Sequence, residues 1–293
     1  MTTATSKTRS GAWSGYLFVL PYLLLFTVFL LAPLAYGFSL SFYRRELLSV
    51  VPPKLIGLAN YSEALHDPYF WKALWATLRF VALCVPFTML TALSLALGLN
   101  GLKGRLQTVL RAAVFVPTVL TISVAGILWR WFYNGEFGLF NAYLHYINIK
   151  PPWLTSTGMA MVSIALMTLW WTVGGPTVVL LAGLHNIPPQ YMEAAEMDGA
   201  VGYRRFRYIT LPLLKPVLLF VMVLNIIGSF QVFGQTFMIT RGGPEMSTRS
   251  LVQYIYETAF NNYRMGYASA LSWLLFLVIA TFSAAQFRLM RER

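Results

Sequence analysis

Polar side chains placed inside long apolar runs are where this sequence could do chemistry. Asn225, Ser229, Gln231 and Gln235 interrupt one such run. Thr168, Trp170, Trp171 and Thr172 cluster in a second, and Thr118, Thr121 and Ser123 follow Pro117 in a third. Amides and hydroxyls both donate and accept, so they match the hydroxyls of a polyhydroxylated solute. Aromatic faces stack on the apolar faces of sugar rings. On a helix, positions 225 and 229 share one face, and 231 and 235 share an adjacent one. The same groups can serve instead as hydrogen-bonding glue between helices, a common use inside membranes.

A second constellation occupies 185–216, which reads HNIPPQYMEAAEMDGAVGYRRFRYITLPLLKP and is the most polar long stretch in the second half. Pro188 and Pro189 suit a helix start, where a missing N–H costs little. Gln190 to Asp198 is helix-compatible, Gly199 and Gly202 break the chain, and Arg204 to Thr210 predicts a second short helix before Leu211 and Pro212. Tyr191, Met192, Ala194 and Ala195 give the first helix a small apolar ridge, the kind of surface that lies in a partner's groove. An ordinary amphipathic loop packed on its own bundle fits the same residues.

Enzymatic signatures are missing. The sequence has no G-x-x-x-x-G-K-[ST] phosphate loop, so ATP hydrolysis is not expected of this chain, and neither G-x-S-x-G nor H-E-x-x-H occurs. His66, His145 and His185 are far apart, and Cys84 is the single cysteine, so neither a metal site nor a disulfide is expected. No cofactor is implied.

These residues need elements to hold them, and composition says which. Apolar residues make up 57% of the chain and charged ones 11%, against roughly 25% charged in soluble domains. A deficit that large predicts an all-α, polytopic membrane protein in contact with lipid. Six gaps free of Asp, Glu, Lys and Arg are long enough to cross a bilayer, which takes roughly 20 residues. They place spans near 14–42, 74–99, 109–131, 158–184, 213–239 and 266–288 within one domain covering 1–293. The first run is about twice the length of a signal-peptide core and reads as a retained helix. The net charge of +12 is scattered over short loops without helix-turn-helix or zinc-finger spacing, which argues against nucleic acid. Lys7, Arg9, Lys103, Arg105, Arg111, Arg288, Arg291 and Arg293 sit in segments nearly free of acids. With the basic residues of 204–215 they put both termini and the 185–212 loop on the cytoplasmic side. No acid falls within a span, which favours an energy source outside the chain over proton coupling by a stand-alone secondary transporter.

Glu193-Ala194-Ala195, then Gly199 after three intervening residues, Ile209 after nine more, then Leu211-Pro212, resembles the EAA loop of binding-protein-dependent ABC importer permeases. That resemblance implies a coupling helix between spans 4 and 5, with Glu193, Ala194, Ala195 and Gly199 at the contact with an ATPase subunit. It implies as partners a second permease of the same fold, two ATPase subunits and an extracytoplasmic solute-binding protein. Shorter stretches, Thr240-Arg241-Gly242-Gly243-Pro244, Gly266-Tyr267-Ala268-Ser269-Ala270 and Leu58-Ala59-Asn60-Tyr61, are similar to the carbohydrate-uptake branch of maltose, lactose and glycerol-3-phosphate systems. The implied cargo is a sugar or sugar-like solute, with a polyol or glycerol phosphate as the alternative.

Overall fold

The computed structural model describes residues 10–291; Lys7, Arg9, Glu292 and Arg293, which enter the charge argument, lie outside them. The chain divides into two compact units, Met1–His66 with Thr258–Trp273, and Asp67–Glu257 with Leu274–Arg293.

In the first unit, α1 (Ser10–Phe26) and α2 (Ala32–Leu40) are joined by a π-helical turn at Thr27–Leu31. Pro33, in the first turn of α2, has no N–H to return to the preceding turn, and the wider π turn absorbs the missing bond. Along Tyr16–Leu40 the apolar window carries no buried residue. A helix apolar on all sides and unburied by its own chain is suited to lipid. The chain then forms a two-stranded antiparallel pair, β1 (Tyr43–Arg44) with β2 (Lys54–Leu55), followed by α3 (Ala59–His66). The short motifs brace this turn. Asn60 donates to the carbonyls of Ser41 and Tyr43 at 2.7 and 3.1 Å, and the Tyr61 hydroxyl donates to Ser41 Oγ at 2.7 Å. Gly266 N–H donates to Arg45 O at 3.1 Å, and a Cβ at 266 would collide with the Tyr43 carbonyl.

The second unit is built on α4 (Pro68–Asn100). Asp67 caps it by accepting from Tyr69 N–H at 2.8 Å, and Pro68 takes the first position, where no donor is needed. Its 33 residues run about 50 Å at 1.5 Å per residue, more than the roughly 30 Å hydrocarbon core. Ala73, Ala76, Thr77, Cys84, Thr88, Ala92 and Ala96 form a seam of small buried residues along it. Small side chains let neighbouring helices approach closely where lipid supplies no hydrophobic drive.

Against this seam pack α8 (Thr157–Thr172), α9 (Gly174–His185) and α12 (Leu211–Phe230). Phe80 and Cys84 meet Met161, Ile164 and Met167 in one cluster, and Ala92 and Ala96 meet Leu180, Leu184, Leu214 and Val221 in another. Cys84 is a packed core residue, as its setting predicts.

Two expected spans are not straight. α5 (Gly104–Phe115) continues into a 3-10 turn at Val116–Val119, and α6 (Ile122–Phe132) leaves at 98°. Pro117 starts this change, and Leu120 and Thr121 are extended, so Thr121 caps α6. α8 and α9 meet at 49°. Pro176 lacks the donor that would continue the helix. A Cβ on Gly174 would sit 2.6 Å from the Val114 carbonyl oxygen, so the bend brings two backbones together where only glycine fits.

The remaining helices are α7 (Leu139–Leu144), α10 (Pro189–Met197), α11 (Tyr203–Arg205), α13 (Gly234–Ile239), α14 (Leu251–Tyr256) and α15 (Met265–Arg291). The expected separate helix at 204–210 is instead continuous with α12 through a π turn at Phe206–Thr210, again placed just before a proline, Pro212. The fifth span ends at Phe230, nine residues short of the expected 239, because Gln231 to Phe233 leave the helix. Four helices are long and apolar enough to cross a membrane, and six spans result if each bent pair counts as one.

Candidate functional site

Two places in the second unit hold most of the residues singled out from the sequence. The first is the loop between α9 and α12. Pro188 is extended and Pro189 opens α10, as their types dictate. α10 ends where Gly199 takes φ +68, a left-handed stop that lets Ala200 N–H reach Ala195 O at 2.8 Å. Gly202, at φ +55, starts the next helix.

The faces of α10 differ from the expected single ridge. Ala195 is 2% exposed, and Met192 packs on the Leu184 and Leu214 cluster, so these two residues seat the helix on its own bundle. Glu193, Ala194 and Gly199 face outward. Met197, which the sequence did not single out, is 88% exposed, with Tyr191, Val201 and Tyr203 also uncovered nearby. An exposed Arg205–Glu196 ion pair at 2.8 Å ties the end of α10 to α11. A pair this exposed contributes little on its own.

The second place is a cavity of about 500 Å3 among α4, α8, α9, α12 and α13. Thr168, Trp171, Asn225, Ser229 and Gln235 line it, so much of the expected solute set converges. Gln231 and Thr118 do not line it. Gln231 caps the end of α12 and is exposed, and the Thr118 hydroxyl donates to Phe115 O at 2.6 Å inside the α5–α6 bend. The break at Gln231 also means that 231 and 235 share no helical face.

The Trp171 indole N–H donates to Leu120 O at 2.9 Å, which pins the ring against the extended residues of the α5–α6 bend. Thr168 and Thr172 hydroxyls donate to carbonyls of their own helix at 2.8 and 2.7 Å, a packing use. Ser229 Oγ lies 3.4 Å from Asn225 Oδ1, a long and weak bond. Phe80, Gly175, Pro176, Phe220 and Gly228 complete much of the wall, and none was singled out from sequence. Gly175-Pro176 is the signal that could have been used, since a helix breaker inside a span marks a cavity. The wall contains aromatic rings, two carboxamides and hydroxyls, and no charged side chain. Among the described residues no cluster of His, Cys, Asp or Glu could hold a metal ion.

Residues 85–292 match the family of binding-protein-dependent transport system inner membrane components, and the chain belongs to that family. It is therefore a multi-pass transport permease. The trehalose/maltose transport system permease protein of Thermococcus litoralis is 37% identical, over 99% of this chain and 98% of that one. The sulfoquinovosyl glycerol transport system permease protein of Agrobacterium fabrum is 34% identical, over 94% and 90%. In fold, the chain resembles one from the crystal structure of a bacterial alginate ABC transporter in complex with an alginate pentasaccharide-bound periplasmic protein. The TM-score is 0.83 at 21% identity, covering 97% and 96% of the two chains.

Proposed function

We propose that this chain is one of two permease halves of an ATP-driven importer for a neutral sugar. α10 is the coupling helix, and both termini and the 185–212 loop lie in the cytoplasm. The observation that carries the coupling assignment is the division of α10 into two faces. Ala195 and Met192 fix it to the bundle, while Glu193, Ala194, Met197 and the Gly199 turn stay open to a partner. A helix firmly seated on one side and open on the other, where Glu193 stands beside Ala194 and Met197, can pass a push from an ATPase subunit into α9 and α12. The ATPases, a second permease and an extracytoplasmic solute-binding protein complete the complex.

The cavity supports the cargo class. Thr168, Trp171, Asn225, Ser229 and Gln235 suit hydroxyls and ring faces, and an uncharged wall offers no counter-charge to a phosphate. The wall therefore favours a neutral sugar or polyol over glycerol phosphate. The name of the trehalose/maltose relative agrees with this class, whereas that of the sulfoquinovosyl glycerol relative specifies a sulfonated sugar.

The test is co-purification of the tagged chain with the products of its neighbouring genes. Wild type should bring down an ATPase subunit, and Met197→Asp and Gly199→Asp, inserted normally, should lose it. Retention of the ATPase by both variants would overturn the coupling assignment. For the cargo, Asn225→Ala should lower sugar uptake in proteoliposomes by about tenfold, the worth of one good hydrogen bond. Uptake of glycerol phosphate in preference to neutral sugars would overturn the cargo class.

A further inference from the structure

The 240–250 loop, beyond the C-terminal end of α12, is built more rigidly than a turn requires. Three non-glycine residues in it hold left-handed backbone, Arg241 at φ 53, Glu245 at φ 50 and Met246 at φ 63. Those same three are its exposed residues. Side chains rarely accept this conformation unless the surroundings impose it. Here they do. Thr248, fully buried, has its hydroxyl 2.7 Å from both Thr240 Oγ1 and the Gly243 carbonyl, and a Cβ on Gly242, at φ +87, would be crowded to 3.0 Å from Arg249 and Gln253. Glu257 accepts from Arg249 and Gln253.

The loop is also fastened to α4. The Tyr254 hydroxyl bonds Asp67, Leu251 N–H donates to Thr77 Oγ1 at 2.9 Å, and Arg79 Nη2 donates to Ser247 O at 2.9 Å. Arg79 is the unexpected member. It is the last charged residue before the charge-free stretch of α4, and burying part of a guanidinium is costly. It meets a neutral carbonyl, and its Nε is buried without a partner. One bond to a carbonyl needs no cation. The next residue, Phe80, lines the cavity.

We infer that Arg79 is a positioning residue that relays docking of the solute-binding protein on the 241–246 surface, through Ser247, to the cavity wall at Phe80. This rests on the importer reading. α12 separates this loop from the α10 loop, so the partner on this side is the extracytoplasmic protein that the family's transport depends on. The exposed Arg241, Glu245 and Met246 offer it two opposite charges and one apolar contact, beside an open recess of about 440 Å3.

The experiment uses the complete complex in lipid, with ATP hydrolysis measured with and without solute-loaded binding protein. Arg79→Met should keep basal hydrolysis but lose about tenfold of the stimulation, within the usual range for coupling between sites. Arg79→Lys should recover part of it, because an ammonium can also donate to Ser247 O. Arg241→Glu should raise the binding-protein concentration for half-maximal stimulation about tenfold, separating docking from relay. Wild-type stimulation in Arg79→Met, or equal loss of basal and stimulated hydrolysis, overturns the relay. Should Arg79→Met fail to assemble, an unchanged response in Arg241→Glu and Met246→Asp overturns the proposal. A wild-type complex that the binding protein does not stimulate defeats the importer reading itself, and this inference falls with it.

Discussion

The loops at the two ends of α12 solve the problem of presenting a rigid surface in different ways. At one end α10 is a regular helix stopped by a glycine in the conformation glycine prefers, and a single buried alanine and a methionine hold it down. At the other, the 240–250 loop forces ordinary residues into left-handed backbone and restrains them with buried hydroxyls and contacts to α4. The first surface relies on local propensity and tolerates motion as a unit. The second relies on long-range contacts and should resist deformation until one of its braces is removed. The roles proposed for them, a helix that rocks with a motor and a platform that senses a docked protein, call for these two kinds of construction.

The comparison can be broken most sharply at the braces. Thr248→Val leaves the Gly243 carbonyl without its donor at a buried site and removes one partner of the Thr240 hydroxyl, which still donates to Thr236 O. It should cost about 2 kcal/mol and speed amide exchange across 242–250, by hydrogen-exchange mass spectrometry, with α10 unaffected. Filling the seat of α10 tests the other loop. Ala195→Leu overpacks a closed site and should cost about 1–3 kcal/mol in thermal stability of the purified chain. Gly199→Ala meets no neighbouring atom, so only the left-handed backbone is penalised. A cost of about 1 kcal/mol, seen as fraying of α10 with normal membrane insertion, is expected. Smallest is Met197→Ala, which should change the stability of the isolated chain by less than about 0.5 kcal/mol. The same substitution should weaken ATPase co-purification. A large stability loss there would mean that Met197 packs on its own chain after all.

The two loops also differ in how far the sequence revealed them. The α10 loop was legible because its determinants all lie within residues 188–202: prolines at the start, glycines at the stop, and the Glu193-Ala194-Ala195 spacing. Its inward and outward faces were not legible, since burial of Ala195 depends on where α9 and α12 lie. The 240–250 loop showed only the short Thr240–Pro244 stretch that carries a family resemblance. Its braces come from Asp67, Thr77 and Arg79, separated from their partners by 187, 174 and 168 residues. Pair contacts at such separations leave no periodic trace.

Charge-free length alone determined that this chain is an apolar helical bundle and roughly where its spans fall, because the bilayer penalises composition independently of packing. Local turn chemistry determined the start and stop of α10. Tertiary structure decided where the spans bend, where α12 ends, and which polar side chains meet at the cavity. Those outcomes depend on close backbone approaches, such as Gly174 on Val114, that exist only once the helices have packed.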